Sequence, residues 1–147
     1  MLWYHRYKQL LEIVFPPSPD ELLLRRSDHR LFTTTIPSST GPATTLLPYH
    51  EPAVRAAIHL AKFHQHPTAL QYLGSSISTY ISQQSLPAET IFVPIPLSRR
   101  RERERGYNQV TEILKAARGQ QSNLIIDASL LRRIRHTPPQ TSLDKAA

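Results

Sequence analysis

The stretch Ile91-Phe92-Val93-Pro94-Ile95-Pro96-Leu97-Ser98-Arg99-Arg100-Arg101-Glu102-Arg103-Glu104-Arg105-Gly106-Tyr107-Asn108-Gln109 joins a short apolar run to a basic one. A strand can run from Thr90 to about Val93. It leaves the sheet by Pro96, because proline fixes φ and donates no ladder hydrogen bond. The basic run from Arg99 to Arg105 is then expected as a loop at the strand's carboxyl end, the edge of an open α/β sheet where ligands bind. It holds five arginines and two glutamates, a local net charge of +3. Gly106 permits positive φ and close approach of backbone to a ligand, and a helix opening near Tyr107 or Asn108 offers free N–H groups to an anion. These parts describe a site for phosphate groups.

Downstream, Val110, Ile113, Leu114 and Ala117 share one helical face, with Gly119 placed as the C′ residue. Either Leu124-Ile125-Ile126 or Ser129-Leu130-Leu131 supplies the next strand. Strand, helix, strand predicts a βαβ unit with parallel strands and a right-handed crossover. Upstream, His50-Glu51-Pro52 starts a helix with Val54, Ala57, Ile58 and Ala61 on one face and Arg55, His59 and Lys62 towards its flanks. Pro67 starts another, carrying Leu70, Leu73, Ile77 and Ile81 and ending near Gln84. The two are expected to form a hairpin against the sheet.

Nearer the start, Tyr4, Tyr7, Leu10, Leu11 and Val14 recur at helical spacing within residues 1–15. Ser18-Pro19-Asp20-Glu21 reads as a capping box with proline at the first helical position, so a short helix should run to about Ser27. Residues 28–48, rich in Thr, Ser and Pro, read as a connector whose extended piece lies around Thr44, Leu46 and Leu47.

With 147 residues the chain suffices for one domain. Its 13 prolines are about 9% of the chain against an ordinary share of about 5%, so much of it should be extended connection. There is no cysteine, hence no disulfide, thiolate nucleophile or cysteine zinc site. His59, His64 and His66 fit no common metal spacing and have no acidic residue between them. No apolar run approaches a membrane span and no secretory leader is present, so a cytoplasmic protein without membrane partners is expected. A net charge of +7 favours polyanionic partners, either phosphorylated small molecules or nucleic acid.

The pattern V-P-I-P, an arginine-rich segment and R-G-Y-N-Q resembles the signature of the ComF family, phosphoribosyltransferase-like proteins associated with DNA uptake in competent bacteria. Tyr49, Arg55, Lys62 and Phe63 match the helix before that signature. Leu131-Arg132-Arg133 with Thr137-Pro138-Pro139-Gln140 match the segment after it. The resemblance covers roughly residues 49–143. It implies a partial type I phosphoribosyltransferase-like, Rossmann-like α/β fold with a parallel sheet and flanking helices over 49–147. Residues 1–48 would form a helical N-terminal segment and connector at the position of the family's zinc module, here without its cysteines and so without zinc.

It further implies a ligand, phosphoribosyl pyrophosphate with magnesium, and a glycosyltransferase class of activity if the rest of the site is supplied. Arg99, Arg101 and Arg105 would stabilise pyrophosphate charge, Gly106 would permit the turn, and Tyr107, Asn108 and Gln109 would hold the loop and helix start. Lys62 would reach the ligand, and Thr137, Pro138 and Gln140 would belong to a mobile segment that closes over it. Catalytic residues are not identified. The family's paired acidic residues and Thr/Gly-rich phosphate turn, which follow later in its fold, have no counterpart here. Two expectations follow: the sequence is a fragment that stops before that motif, or self-association or a partner chain completes the sheet. The alternative functions are a nucleic-acid-binding competence factor that grips single-stranded DNA through the same arginines, and an inactive fragment.

Overall fold

The computed structural model describes residues 16–121 and 123–135. Helix α1 (Pro19–Arg26) begins as the capping box predicts. The Glu21 N–H donates to Ser18 Oγ at 3.3 Å, and the Ser18 N–H donates back to Glu21 Oε2 at 2.7 Å. Asp20 and Glu21 in the first turn and Arg25 and Arg26 in the last complement the helix dipole. The expected connector holds more structure than one extended piece. It contains a short helix, α2 (Arg30–Thr34), and an exposed antiparallel hairpin of β1 (Ser38–Thr40) and β2 (Ala43–Thr45). Gly41, at φ +59°, and Pro42 make its two-residue turn, the glycine-first order that type II′ hairpins use.

Helices α3 (Pro52–Phe63) and α4 (Pro67–Ser82) each start on a proline, where the missing N–H is not needed. Val54, Ala57 and Ala61 face inward as their spacing predicts. Ile58 does not: it is 36% exposed, and Leu60 is buried instead. The reason is that α3 is packed by α1 on one side and α4 on the other, which turns its inner stripe towards Ala56 and Leu60. Leu24 of α1 and Phe32 of α2 lie in the same core as Val54, Leu60, Ala69 and Leu73, so packing runs across the expected division at residue 48.

The βαβ unit is present. β3 (Ile91–Phe92) and β4 (Ile125–Ile126) are parallel, Ile91 beside Ile125 and Phe92 beside Ile126, with α6 (Gln109–Gln120) between them in sequence. The strand is thus the first of the two candidates; Ser129–Leu131 is not strand. Ile81, Leu114 and Leu124 form a second small core with Phe92, Val110 and Ile126. It sits under the far end of α4, so of the expected helical hairpin it is α4 that reaches the sheet, while α3 packs on α1. The outward Ile91 and Ile125 are 47% and 45% exposed, and each sheet has two strands among the described residues.

Contact between α4 and α6 is close. A Cβ on Gly74 would stand 2.8 Å from the Ala117 nitrogen and 2.9 Å from the Ala116 Cβ, so only glycine allows this crossing. Gly119 does not end α6, which runs on to Gln120 with Gln121 as its C-cap.

The largest departure lies in the basic run. Arg99–Arg105 is a helix, α5, and not a loop. Ser98 is its N-cap, and arginine and glutamate are good helix formers. The chain is a mixed α/β protein, and no helix among the described residues is long and apolar enough to cross a membrane. The expected helix within residues 1–15 and the closing segment with Thr137, Pro138 and Gln140 lie outside the described residues.

Candidate phosphate-binding site

The site is framed by the carboxyl end of β3. After Phe92, Pro94 is buried and Pro96 carries the chain away from the sheet to Ser98. The Ser98 hydroxyl, itself buried, accepts the Arg101 N–H at 3.4 Å and so starts α5. Gly106 ends it in the left-handed conformation at φ +76°, its N–H donating to the Glu102 carbonyl at 2.7 Å. The positive φ expected of Gly106 therefore serves as a helix stop, where a side chain would be strained.

Two residues later Asn108 caps α6. Its Oδ1 accepts the Val110 N–H at 3.0 Å, and its Nδ2 donates to the Ile95 carbonyl at 2.9 Å. One side chain thus fixes the start of α6 and ties it back to the proline loop.

Against α5 lies the irregular segment 131–135, which follows β4. Its approach is shaped by Asp127, whose Oδ1 accepts from the Ser129 N–H at 2.7 Å and the Ser129 hydroxyl at 2.6 Å. These bonds hold the Asp127 carboxyl below its ordinary pKa. Between α5 and this segment is a cleft of about 390 Å3 walled by Arg99, Arg100, Arg103, Arg132, Arg133 and Arg135. A neighbouring hollow of about 240 Å3 shares Arg99, Arg132 and Arg133 and extends towards Pro94, Glu102 and Asn108.

Glu104 forms an i,i+4 pair with Arg100 at 2.8 Å. Arg99, Arg103, Arg132 and Arg135 make no ion pair among the described residues. Guanidinium groups of like charge repel one another, and an anion between them relieves that repulsion.

The expected ligand residues do not all meet there. Arg99 and Asn108 wall the two hollows. Lys62, Arg105, Tyr107 and Gln109 gather instead on the other side of α5, at the end of α3. Arg105 Nη1 donates to Gln109 Oε1 at 2.8 Å, and its guanidinium carbon lies 5.4 Å from the Phe63 ring centre. Lys62 Nζ lies 4.9 Å from the same ring. The Tyr107 hydroxyl donates to the Ala61 carbonyl at 3.0 Å and accepts the Gln65 N–H at 2.8 Å, closing the end of α3, where Gln65 turns at φ +48°. Arg101, half-buried, wins its place through the Ser98 cap.

Helical geometry explains the division. Residues three and four apart share a face, so 99, 100 and 103 look one way while 105 looks another. Arg100, Arg103, Arg132, Arg133 and Arg135 were outside the expected ligand set. For Arg100 and Arg103 the signal is that same three- and four-residue spacing, once the run is read as a helix between a serine cap and a glycine stop; Arg132, Arg133 and Arg135 are brought in by tertiary packing, which no local spacing announces.

No family model matches the chain, and neither a curated protein nor a solved structure is significantly similar to it.

Proposed function

We propose that the chain is a ComF-like protein with part of a type I phosphoribosyltransferase fold, and that its arginine cleft binds phosphoribosyl pyrophosphate or a related phosphorylated ligand. The observation that carries this is the convergence of six arginines from α5 and residues 132–135 on one cleft beside the carboxyl end of β3. Bidentate guanidinium contacts are the strongest and most directional that a protein offers to phosphate. The activity proposed for these residues is binding, in a cytoplasmic protein linked to DNA uptake. Phosphoribosyl transfer to an acceptor additionally requires the paired carboxylates that the resemblance places later in the fold.

The magnesium implied by the resemblance does not fit the cleft as a protein-held ion. Magnesium takes oxygen ligands in a near-octahedral set, and the walls here present guanidinium groups. Among the nearby carboxylates, Glu104 pairs with Arg100 and Asp127 accepts from Ser129. Among the described residues no three His, Asp or Glu side chains converge.

Thermal unfolding tests the proposal. A ligand at a hundred times its Kd stabilises a protein by about 2.7 kcal/mol, so phosphoribosyl pyrophosphate should raise the melting temperature of the wild type and not that of Arg99→Ala/Arg103→Ala. An equal rise in both, or none in the wild type, refutes it.

A second reading is favoured by Phe63. This ring is 52% exposed and flanked by Lys62 and Arg105, which is how single-stranded nucleic acid is held: a base stacks on the ring and cations meet its phosphates. Affinity would then rise with strand length, fall steeply with salt, and drop in Phe63→Ala.

A further inference from the structure

We propose that the arginine cleft takes a condensed phosphate, two or more phosphoryl groups in a chain, as the free anion and not as its magnesium complex. This deepens the proposed function and rests on its placement of a phosphate ligand between α5 and residues 132–135. Three features lead to it.

The first is charge. Six guanidinium groups wall the cleft; of the two carboxylates on α5, Glu104 pairs with Arg100 at 2.8 Å and Glu102 faces the neighbouring hollow. With Arg100 offset by Glu104, a single phosphate, at about −1.5 to −2 near pH 7, still leaves part of the remaining repulsion in place. A chain of phosphoryl groups brings more charge into the same volume.

The second is layout. Arg99 and Arg103 lie one helical turn apart on α5, whereas Arg132, Arg133 and Arg135 lie along an irregular segment facing it. The Arg133 Nε–H donates to the Arg135 carbonyl at 3.2 Å, which steadies that segment. Two facing rows of planar donors suit a short chain of phosphoryl oxygens, with the forks of Arg99, Arg103, Arg132 and Arg135 each placed to meet two oxygens.

The third is the donor set. Among the described residues every charged group on the cleft wall is a guanidinium, which offers hydrogen-bond donors and no lone pair to a metal. Glu102, which faces the neighbouring hollow with Arg99, is the one acidic side chain among the described residues that line either space. Magnesium bound to a condensed phosphate occupies the oxygens these forks need and cancels the charge that draws the ligand in. In this cleft the ion competes with the protein.

Isothermal titration of the full chain at constant ionic strength tests this with inorganic pyrophosphate as probe, once in chelator and once in excess magnesium chloride. Pyrophosphate should bind in chelator, orthophosphate should bind at least about tenfold more weakly, and excess magnesium should weaken pyrophosphate by at least about tenfold. Arg103→Lys and Arg132→Lys keep the charge and lose the fork; each should lower affinity while the circular dichroism spectrum stays that of the wild type. Binding that requires magnesium, or that magnesium leaves unchanged, overturns the inference. If such binding is still lost in Arg103→Ala, the phosphate site stands and its metal-free character falls. If pyrophosphate binds under neither condition, both fall.

Discussion

The two sides of α5 carry the same residue type and put it to different use. On the side of α3, Arg105 is held by Gln109 and the Phe63 ring, and Tyr107 just beyond closes the end of that helix. On the side of residues 132–135, Arg99 and Arg103 face further arginines and form no ion pair among the described residues. Groups with partners inside the fold hold it together. Exposed groups of like charge that converge on one cleft add little to the fold, because solvent screens them, and are placed to meet an anion.

The largest effect that would separate the two sides is on binding. Replacing both Arg103 and Arg132 by alanine removes two charge-assisted contacts of about 1.5–3 kcal/mol each, so titration should show affinity for phosphoribosyl pyrophosphate falling by about a hundredfold or more. Stability should stay within about 0.5 kcal/mol of the wild type in urea unfolding, as for other exposed substitutions. Tyr107→Phe should do the reverse. It leaves the Ala61 carbonyl and Gln65 N–H without their hydroxyl, lowering stability by about 0.5–1.5 kcal/mol while ligand affinity holds.

Asn108→Ala tests the joint between the sides. Loss of the N-cap should remove about 1 kcal/mol of stability, and loss of the bond to Ile95 should loosen the proline loop and weaken binding as well. Arg105→Ala should cost about 0.5–1 kcal/mol, the worth of an exposed cation–π contact, with affinity unchanged.

The smallest effect concerns acid. The Asp127 carboxyl is lowered from an ordinary value of 3.8, so its bonds to Ser129 stabilise the fold above that value and fade as pH falls through the lowered one. Acid unfolding of Asp127→Asn should accordingly show a slightly flatter limb below about pH 4.

How much of this was legible in the sequence depended on how far each signal travels. The Ser18 capping box and the Asn108 cap are made within three residues and were readable as such. The parallel pairing of β3 with β4 followed from apolar runs on either side of a periodic helix. The basic run was misread because five arginines announce charge and not direction. Its boundaries were nevertheless written in Ser98 and Gly106, a cap and a left-handed stop seven residues of helix apart.

Gly41-Pro42 likewise marked a hairpin inside a stretch whose Thr and Ser content reads as connector. Ile58 shows a limit of periodicity: its spacing places it on the inner stripe, and only the packing of α1 and α4 around α3 decides that Leu60 goes inside. The role of Tyr107 was not readable at all, since its partners Ala61 and Gln65 lie more than forty residues away along the chain.

The difference between the two sides of α5 can be read directly from arginine side-chain Nε–H resonances, followed by NMR while phosphoribosyl pyrophosphate is titrated into the 15N-labelled chain. The account predicts that Arg99, Arg103 and Arg132 shift and saturate together while Arg105 stays in place. Shifts concentrated on Arg105, or spread evenly over every arginine of the chain, would contradict it.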